Sequence, residues 1–540
     1  MASIPFDLSI NKRHLPSAQD EVVPEEIAES MNSNFLPAAM AHTPANSTLF
    51  AQYQNQFEVT PSPFFSPVFS NFTDIQPDKI RGPGEKEQKM RRKLLRESSI
   101  LIVQGGYSGK RFIYERLKEL GVKVTMMDGP DSVWKTETDL FDGFITVDFS
   151  DYESVLHTAM DAIAEHGTKF DAATTYYEDA VPLAARIARA LGIESNPPEA
   201  CDKARNKHTT RKVMGEAGLP VPKFYSIFTE EDLHPACEVV GFPAILKPVF
   251  GLASFGVIKC GSTEEVIEKY AQVKEEMKTS TGIVWSQGTQ FVLEEYYDGD
   301  EFDVDVLLSD GTVAYAKMSD NFACWEPWFQ ETGTLSPSAY PEDKQKEVIK
   351  LACDTALALG FKWGVFHIEL KYTSRGVRLI EVNARMGGVS VWDCNKRAWG
   401  IDLVEEHAMA SLKIPVCPAI PDTPLEYFGE VGINAPYSGI VTSNENWLAF
   451  AKENPIVLAI HFLKKRGDHV VGAEKGVPDW LAEIRVASKD KEEILTFLRD
   501  LVEVQLKGRV PIKPDDPKAK REFFFPSHAH PYADPVAQRD

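Results

Sequence analysis

The 540 residues carry 58 Lys and Arg against 80 Asp and Glu, a formal net charge of −22, and a field of that sign disfavours generic nucleic-acid binding. Hydrophobic residues at 43% and charged residues at 26% match a soluble globular chain and exclude global disorder or a collagen-like fibre. At ~150 residues per domain the length predicts three or four domains.

The start, MASIPFDLSINKRHLP, has no cationic stretch followed by an apolar one, and no run of 18 apolar residues occurs. The expectation is a cytoplasmic protein without membrane segments. None of the seven cysteines has CxxC spacing, so they read as reduced, mostly buried thiols. Asn46-Ser-Thr48 and Asn71-Phe-Thr73 match the glycosylation pattern by chance on this reading.

Residues 1–95 read as an irregular or disordered arm, Pro-rich at Thr60–Pro67, with Lys86 to Arg96 a solvated basic helix and order beginning near Ser98. From 96 to 200 the chain reads as a Rossmann-like parallel-sheet domain: strand SILIVQ, turn Gly105-Gly-Tyr-Ser-Gly109, a helix to Gly121, a strand Val122–Met127. The turn misses full G-x-G-x-x-G spacing and reads as a tight strand-to-helix connection. Residues 201–413 alternate helices and strands, starting with a helix near 203–217; 414–512 read as an α+β subdomain and 513–540 as a tail. The fold class is α/β with α+β parts.

The chemistry concentrates in Gly364–Gly388. Two alternating runs flank Ser374-Arg375-Gly376, which predicts a hairpin with a three-residue loop. That register sets Ile368 against Val382, Leu370 against Ile380, and Glu369 against Glu381 on the opposite face, with Asn383 and Arg385 following on that face. Facing carboxylates need a cation, a shared proton or solvent. Asn383 adds an oxygen, Arg385 a planar cation, and Gly387-Gly388 a closely approachable backbone, which together suggest Mg²⁺ with phosphate. Upstream, Lys207 and Arg211 share a helix, and Lys247 ends a strand before the loop Phe250-Gly-Leu-Ala-Ser254-Phe-Gly256, a phosphate-gripping arrangement without a Walker A signature. Glu294-Glu295-Tyr296 and Glu301-Phe-Asp303-Val-Asp305 follow.

The order of these parts resembles the ATP-grasp superfamily over roughly residues 98–413. DVDVLLSDG, KMSDN, FQETGTLSPS, GVFHIELK and RLIEVNARMGG are similar to its carboxylate-amine ligases, most to the carnosine-synthase group, whose members extend considerably further at the N-terminus. The resemblance implies ATP and Mg²⁺, with Mn²⁺ an alternative. It implies that Lys207, Lys247 and Ser254 hold phosphates, that Glu294 and Glu295 meet adenine, and that Glu301 holds ribose. It assigns Glu369, Glu381 and Asn383 to the metal, and Arg385 with Gly387 and Gly388 to the acyl-phosphate and its tetrahedral successor. Residues 222–296 would be the lid. Glu331 stands as a partner for a substrate ammonium or as a structural carboxylate, and His208, His367 and His407 read as structural.

The implied reaction joins one amino acid's carboxylate (β-alanine or γ-aminobutyrate) to another's amine (L-histidine), giving a dipeptide, ADP and phosphate. Small-molecule amino acids are the partners, with no nucleic acid or membrane, and a homodimer is the oligomeric expectation. Another L-amino-acid ligase, a biotin-carboxylase-like enzyme and a non-catalytic ATP-binding scaffold are the competing readings.

Overall fold

The computed structural model describes residues 80 and 82–518, apart from 97, 152–153, 252–253, 280–289, 327, 389, 444, 473, 476 and 502–509. The arm before 80, both glycosylation-pattern sites and the tail beyond 518 lie outside the described residues.

The first described helix, α1 (Glu85–Arg96), keeps Lys86, Lys89, Lys93 and Arg96 exposed but packs one face against the body. Leu94 and Leu95 are fully buried, and the buried Arg91 guanidinium donates to the carbonyls of Ile80 and Gly82, both at 2.7 Å, and of Cys417 at 3.2 Å. Arg92 adds an ion pair with Glu405 at 2.6 Å. Arg91 and Arg92 therefore serve as tertiary anchors, and order begins ahead of Ser98.

A parallel sheet follows, built of β1 (Ser99–Val103), β2 (Lys123–Asp128), β3 (Gly143–Thr146) and β4 (Ala172–Thr174) in the order β3-β2-β1-β4. Strand β1 is apolar from Ile100 to Val103 because both faces are covered. Ile100 and Ile102 pack towards α2 (Arg111–Glu119), while Leu101 and Val103 pack towards α3 (Val155–His166) and α4 (Val181–Ala190).

The single helix expected at 203–217 is two, α5 (Pro198–Arg205) and α6 (Lys207–Glu216). Asn206 breaks the run by leaving helical backbone geometry, and its side chain caps α6 by accepting from the Thr209 amide. Lys207 thereby opens α6.

Next comes a separate antiparallel sheet, β5 (Phe224–Ile227), β6 (Ala244–Pro248), β7 (Ile258–Cys260) and β8 (Phe291–Glu295), ordered β5-β8-β6-β7, with helices α7 (Leu233–Val240) and α8 (Thr263–Thr279) and a hydrophobic core of its own.

The main sheet has eight strands in the order β13-β12-β9-β10-β11-β14-β18-β16. Its strands are β9 (Asp300–Ser309), β10 (Thr312–Asn321), β11 (Gly333–Ser336), β12 (Gly364–Thr373), β13 (Gly376–Asn383), β14 (Tyr427–Asn434), β16 (Val457–Phe462) and β18 (Trp480–Ser488). Helix α9 (Glu342–Leu359) covers one face through Val348, Ala352 and Ala356. Helices α10 (Val391–Trp399) and α11 (Leu403–Ser411) join this sheet to the first, since Leu403 and Val404 share a core with Ile100 and Val365. The stretch 414–512, expected as its own subdomain, contributes β14, β16 and β18 to this same sheet through the β11–β14 ladder. A small sheet of β15 (Gly439–Val441), β17 (His469–Val470) and β19 (Ile512–Pro514) brings the first tail residues onto the body. Helix α12 (Lys491–Asp500) packs beside β14 and β18.

Candidate functional site

The β12–β13 hairpin brings Glu369 directly opposite Glu381 and Ile368 opposite Val382, as the sequence predicts, though by a different turn. Thr373 pairs with Gly376, so the loop is shorter than the three residues expected, with Gly376 at a φ of 85°. A bulge then sets Leu370 against Leu379 instead of Ile380. The two one-residue offsets cancel before the glutamates. The bulge leaves the Ile380 carbonyl free to accept from Arg211 at 2.6 Å.

One cleft of about 940 Å³, including space open to solvent, lies between the separate four-stranded sheet and this hairpin. Lys207, Lys247, Ser254, Glu294, Glu295, Glu301, Glu331, Glu369 and Glu381 all line it. Lys207 reaches Glu381 at 2.9 Å, and Lys247 reaches Glu294 at 2.6 Å. Arg211, one turn along α6, pairs with the same Glu294 at 3.0 Å. Both Glu294 oxygens are thus engaged by cations, so the residue expected to meet adenine braces Arg211 and Lys247. Burial alone would raise the Glu294 carboxyl, but these two cations hold it down at about 2. Lys247 is lowered to about 8, by burial above all, with the neighbouring Arg211 and Lys207 charges acting in the same sense. Glu295 meets Arg375, at the hairpin tip, at 3.1 Å. Glu301 lies 3.8 Å from Lys371.

Burial, Glu381 and Asp303 push the Glu369 carboxyl well up, whereas Lys207 and Lys247 hold that of Glu381 down at about 2 against the effect of burial. The Asn383 amide nitrogen bridges both, at 3.2 Å to Glu369 and 3.3 Å to Glu381, while its oxygen accepts from Arg385 at 3.0 Å. A half-turn of that amide would bring its oxygen to the carboxylates. Among the described residues no three His, Cys, Asp or Glu side chains converge at metal-binding spacing. Two carboxylates and an amide nevertheless suit Mg²⁺, which takes one or two protein carboxylates and leaves the other positions to phosphate oxygens and water. The surplus acid around Glu369 is what a divalent cation would neutralise.

Asn383, Arg385, Gly387 and Gly388 lie beyond the cleft's lining, on the side towards the first sheet. Arg385 pairs with Glu178 at 2.9 Å, a partner from the segment after β4 that no motif signalled. A Cβ on Gly387 would stand 2.6 Å from Val391 and 2.8 Å from His367, so close packing requires glycine there; one on Gly388 would stand 3.3 Å from the Tyr107 hydroxyl. His367 hydrogen-bonds Asp305 at 2.9 Å and lies 3.6 Å from Asp303. These acids outweigh burial and raise it to about 9, making it a charged brace under the acidic face. His407 bonds Thr174 at 2.9 Å and accepts from the Val365 amide, a structural role.

Residues 240–393 match the ATP-grasp domain, and 114–194 match the ATP-grasp N-terminal domain. The chain is 29% identical over 344 residues to carnosine synthase 1 of Gallus gallus, covering 61% of this chain and 37% of that protein. It is 26% identical to alanine–anticapsin ligase of Bacillus subtilis over 249 residues, 44% of this chain and 52% of that one. It therefore spans well under half the length of the chicken carnosine synthase. The L-amino acid ligase of Bacillus licheniformis superposes with a TM-score of 0.66 at 23% identity, covering 78% of this chain and all of that one. Residues 240–393 thus form an ATP-grasp domain with its N-terminal companion at 114–194, and the chain is similar to ATP-grasp carboxylate-amine ligases.

Proposed function

We propose that the chain is an ATP-dependent ligase that joins the carboxylate of one amino acid to the amine of another. The observation that carries this reading is the convergence on one cleft of two phosphate-type lysines, Lys207 and Lys247, with the Glu369–Glu381 pair that Asn383 bridges. Lys207 and Lys247 bind the transferring phosphates and release Glu381 and Glu294 in doing so, so their charges are exchanged rather than created. Glu369, Glu381 and Asn383 would hold Mg²⁺, which neutralises phosphate oxygens when bound. The donor carboxylate attacks the γ-phosphoryl group, giving ADP and an acyl-phosphate. The acceptor's neutral amine then attacks the acyl carbon and phosphate leaves. Arg385 stabilises the negative tetrahedral oxygen, with the Gly387-Gly388 backbone amides as further donors. Residues 222–296 act as the lid, and their separate core supports movement as one piece. Glu295 and Glu301 line the adenine and ribose end, and Glu331 receives the substrate ammonium.

For substrates, the likeness to carnosine synthases favours β-alanine or γ-aminobutyrate as donor and L-histidine as acceptor. The seven unpaired cysteines fit a reducing, cytoplasmic setting, and no helix among the described residues is long and apolar enough to cross a membrane. The deciding experiment measures ADP release over a matrix of amino-acid pairs with Mg²⁺, products identified by mass. ADP should form only when donor and acceptor are both present. ATP binding with no amide from any pair would overturn the ligase reading in favour of a scaffold.

A further inference from the structure

We propose that Lys110 anchors the carboxylate that the acceptor amino acid keeps throughout the reaction, an inference that rests on the ligase reading above. The Gly105–Gly109 turn, which by sequence is only a tight connection, delivers this lysine to the junction between the first sheet and Arg385. In the order β3-β2-β1-β4 the chain departs in opposite directions on either side of β1. The carboxyl ends of β1 and β4 are therefore the topological switch point, the place where open α/β sheets take ligands. Lys110 follows β1, and Glu178 and Asp179 follow β4.

The charges at this junction do not balance. Arg385 pairs with Glu178, and Arg205 pairs with Asp179. Lys110 has no partner of its own: it is 4% exposed, its ammonium has neither a hydrogen bond nor an ion pair among the described residues, the Tyr107 ring lies 5.3 Å away, and Glu178, the anion acting on it, is already paired with Arg385. A buried cation without a partner is costly unless something pairs with it. Burial first, then the Arg385 charge, lower Lys110 to about 7 against the opposing pull of Glu178, and an entering anion would restore its proton. The rim is half-open to solvent, since Gly106, Tyr107, Ser108, Arg385 and Gly388 are all only partly buried. At the end of β1, Gln104 holds a φ of 55°, unusual for a residue with a side chain, and its buried side-chain oxygen lacks a hydrogen-bond partner.

The donor's carboxylate is consumed, because it becomes the acyl group. The acceptor's carboxylate is anionic from binding to release and calls for a cationic partner throughout, within reach of Arg385 yet not occupied by phosphate. Among the cations at this junction, Lys110 alone meets both conditions.

The test uses the full chain with the variants K110M and K110R. Thermal unfolding is followed with ADP and Mg²⁺ present, adding each of the twenty common L-amino acids and, in parallel, its carboxamide. At least one acid should raise the wild-type Tm more than its amide does, and that difference should vanish in K110M and survive in part in K110R. Without amino acid, K110M should unfold at or above the wild-type temperature. In turnover, the acceptor KM should rise about ten- to a hundredfold in K110M, with the ATP KM unchanged. An acid-over-amide preference that persists in K110M, its absence in wild type, or a K110M chain that unfolds well below wild type overturns the proposal. The binding arm needs no amide formation, so failure of the ligase reading, seen as no product from any pair, is registered separately.

Discussion

Two glutamate pairs sit in the same eight-stranded sheet and have different surroundings. Glu369 and Glu381 line the cleft on β12 and β13, while Glu430 and Glu483 are buried on β14 and β18. In each pair one carboxyl is pushed up and the other held down, because neighbouring acids in a dry site do not both ionise freely. The pairs differ in where the counter-charge resides. Arg485, on β18 itself, reaches Glu430 at 2.9 Å, Glu483 at 2.8 Å and Asp393 at 3.1 Å. Its position is fixed by the ladder that carries its partners. Glu381 is neutralised from outside the sheet, by Lys207 at the start of α6, and Lys247 stands nearby on the other sheet. A pair balanced within its own sheet is structure, whereas one balanced across a cleft can exchange its lysine for a metal and a nucleotide.

The largest expected effect that would break this contrast is on turnover. E381Q keeps the shape and removes a charge, and ADP release should fall by about 10²- to 10³-fold, the scale of losing one electrostatic group from a reaction site; wild-type turnover would make the hairpin pair merely structural. Second, R485A should lower the urea midpoint by the equivalent of about 3–5 kcal/mol, since it strands buried carboxylates. Folded R485A should still bind Mg·ADP.

Third, Mg²⁺ with ADP at about a hundred times its Kd should stabilise wild type by about 2.7 kcal/mol, and E381Q by much less. With neither present the two hairpin variants should move in opposite directions, by about 1 kcal/mol or less. E369Q should gain stability because Glu369 is the strained member, and E381Q should lose it because Lys207 is stranded. Calorimetry that finds both variants stabilised would contradict the Lys207 pairing.

The smallest effect concerns Glu406 on α11, pushed up to about 8 by burial and the adjacent Glu405. The folded chain keeps a proton there that the unfolded chain releases near 4.5. Its contribution is therefore complete below about pH 4.5 and lost as pH rises through 8. E406Q should flatten this decline between pH 5 and pH 8, read as a smaller drop in Tm; an unchanged slope would mean that Glu406 is not the group responsible.

Much of the cleft was legible in the chain before any folding was considered. Lys207, Lys247 and the facing glutamates carry their chemistry in residue type and local order, and the glutamates' register is recovered even though the loop and the bulge differ from expectation. The partners of these groups were not legible. Glu294 bracing Arg211 and Lys247, Arg385 on Glu178, and Arg91 fastening α1 to the Cys417 carbonyl each join segments far apart in sequence. Residue type states that a charge wants a partner and says nothing of which one it meets.

Which residues could face one another along a hairpin follows from the order of residues alone, because side-chain alternation is a property of the extended backbone. Coverage of the first strand on both faces likewise follows from its apolar run, Ile100 to Val103. Which charges are balanced and which lack a partner depends instead on how distant segments pack. At the junction of the first sheet with Arg385, burial and pairing depend on how β1, β4 and the Gly387-Gly388 segment pack together, and that packing leaves Lys110 without an ion pair among the described residues. Electrostatic balance is a sum over neighbours, and neighbours are fixed by packing rather than by position in the chain.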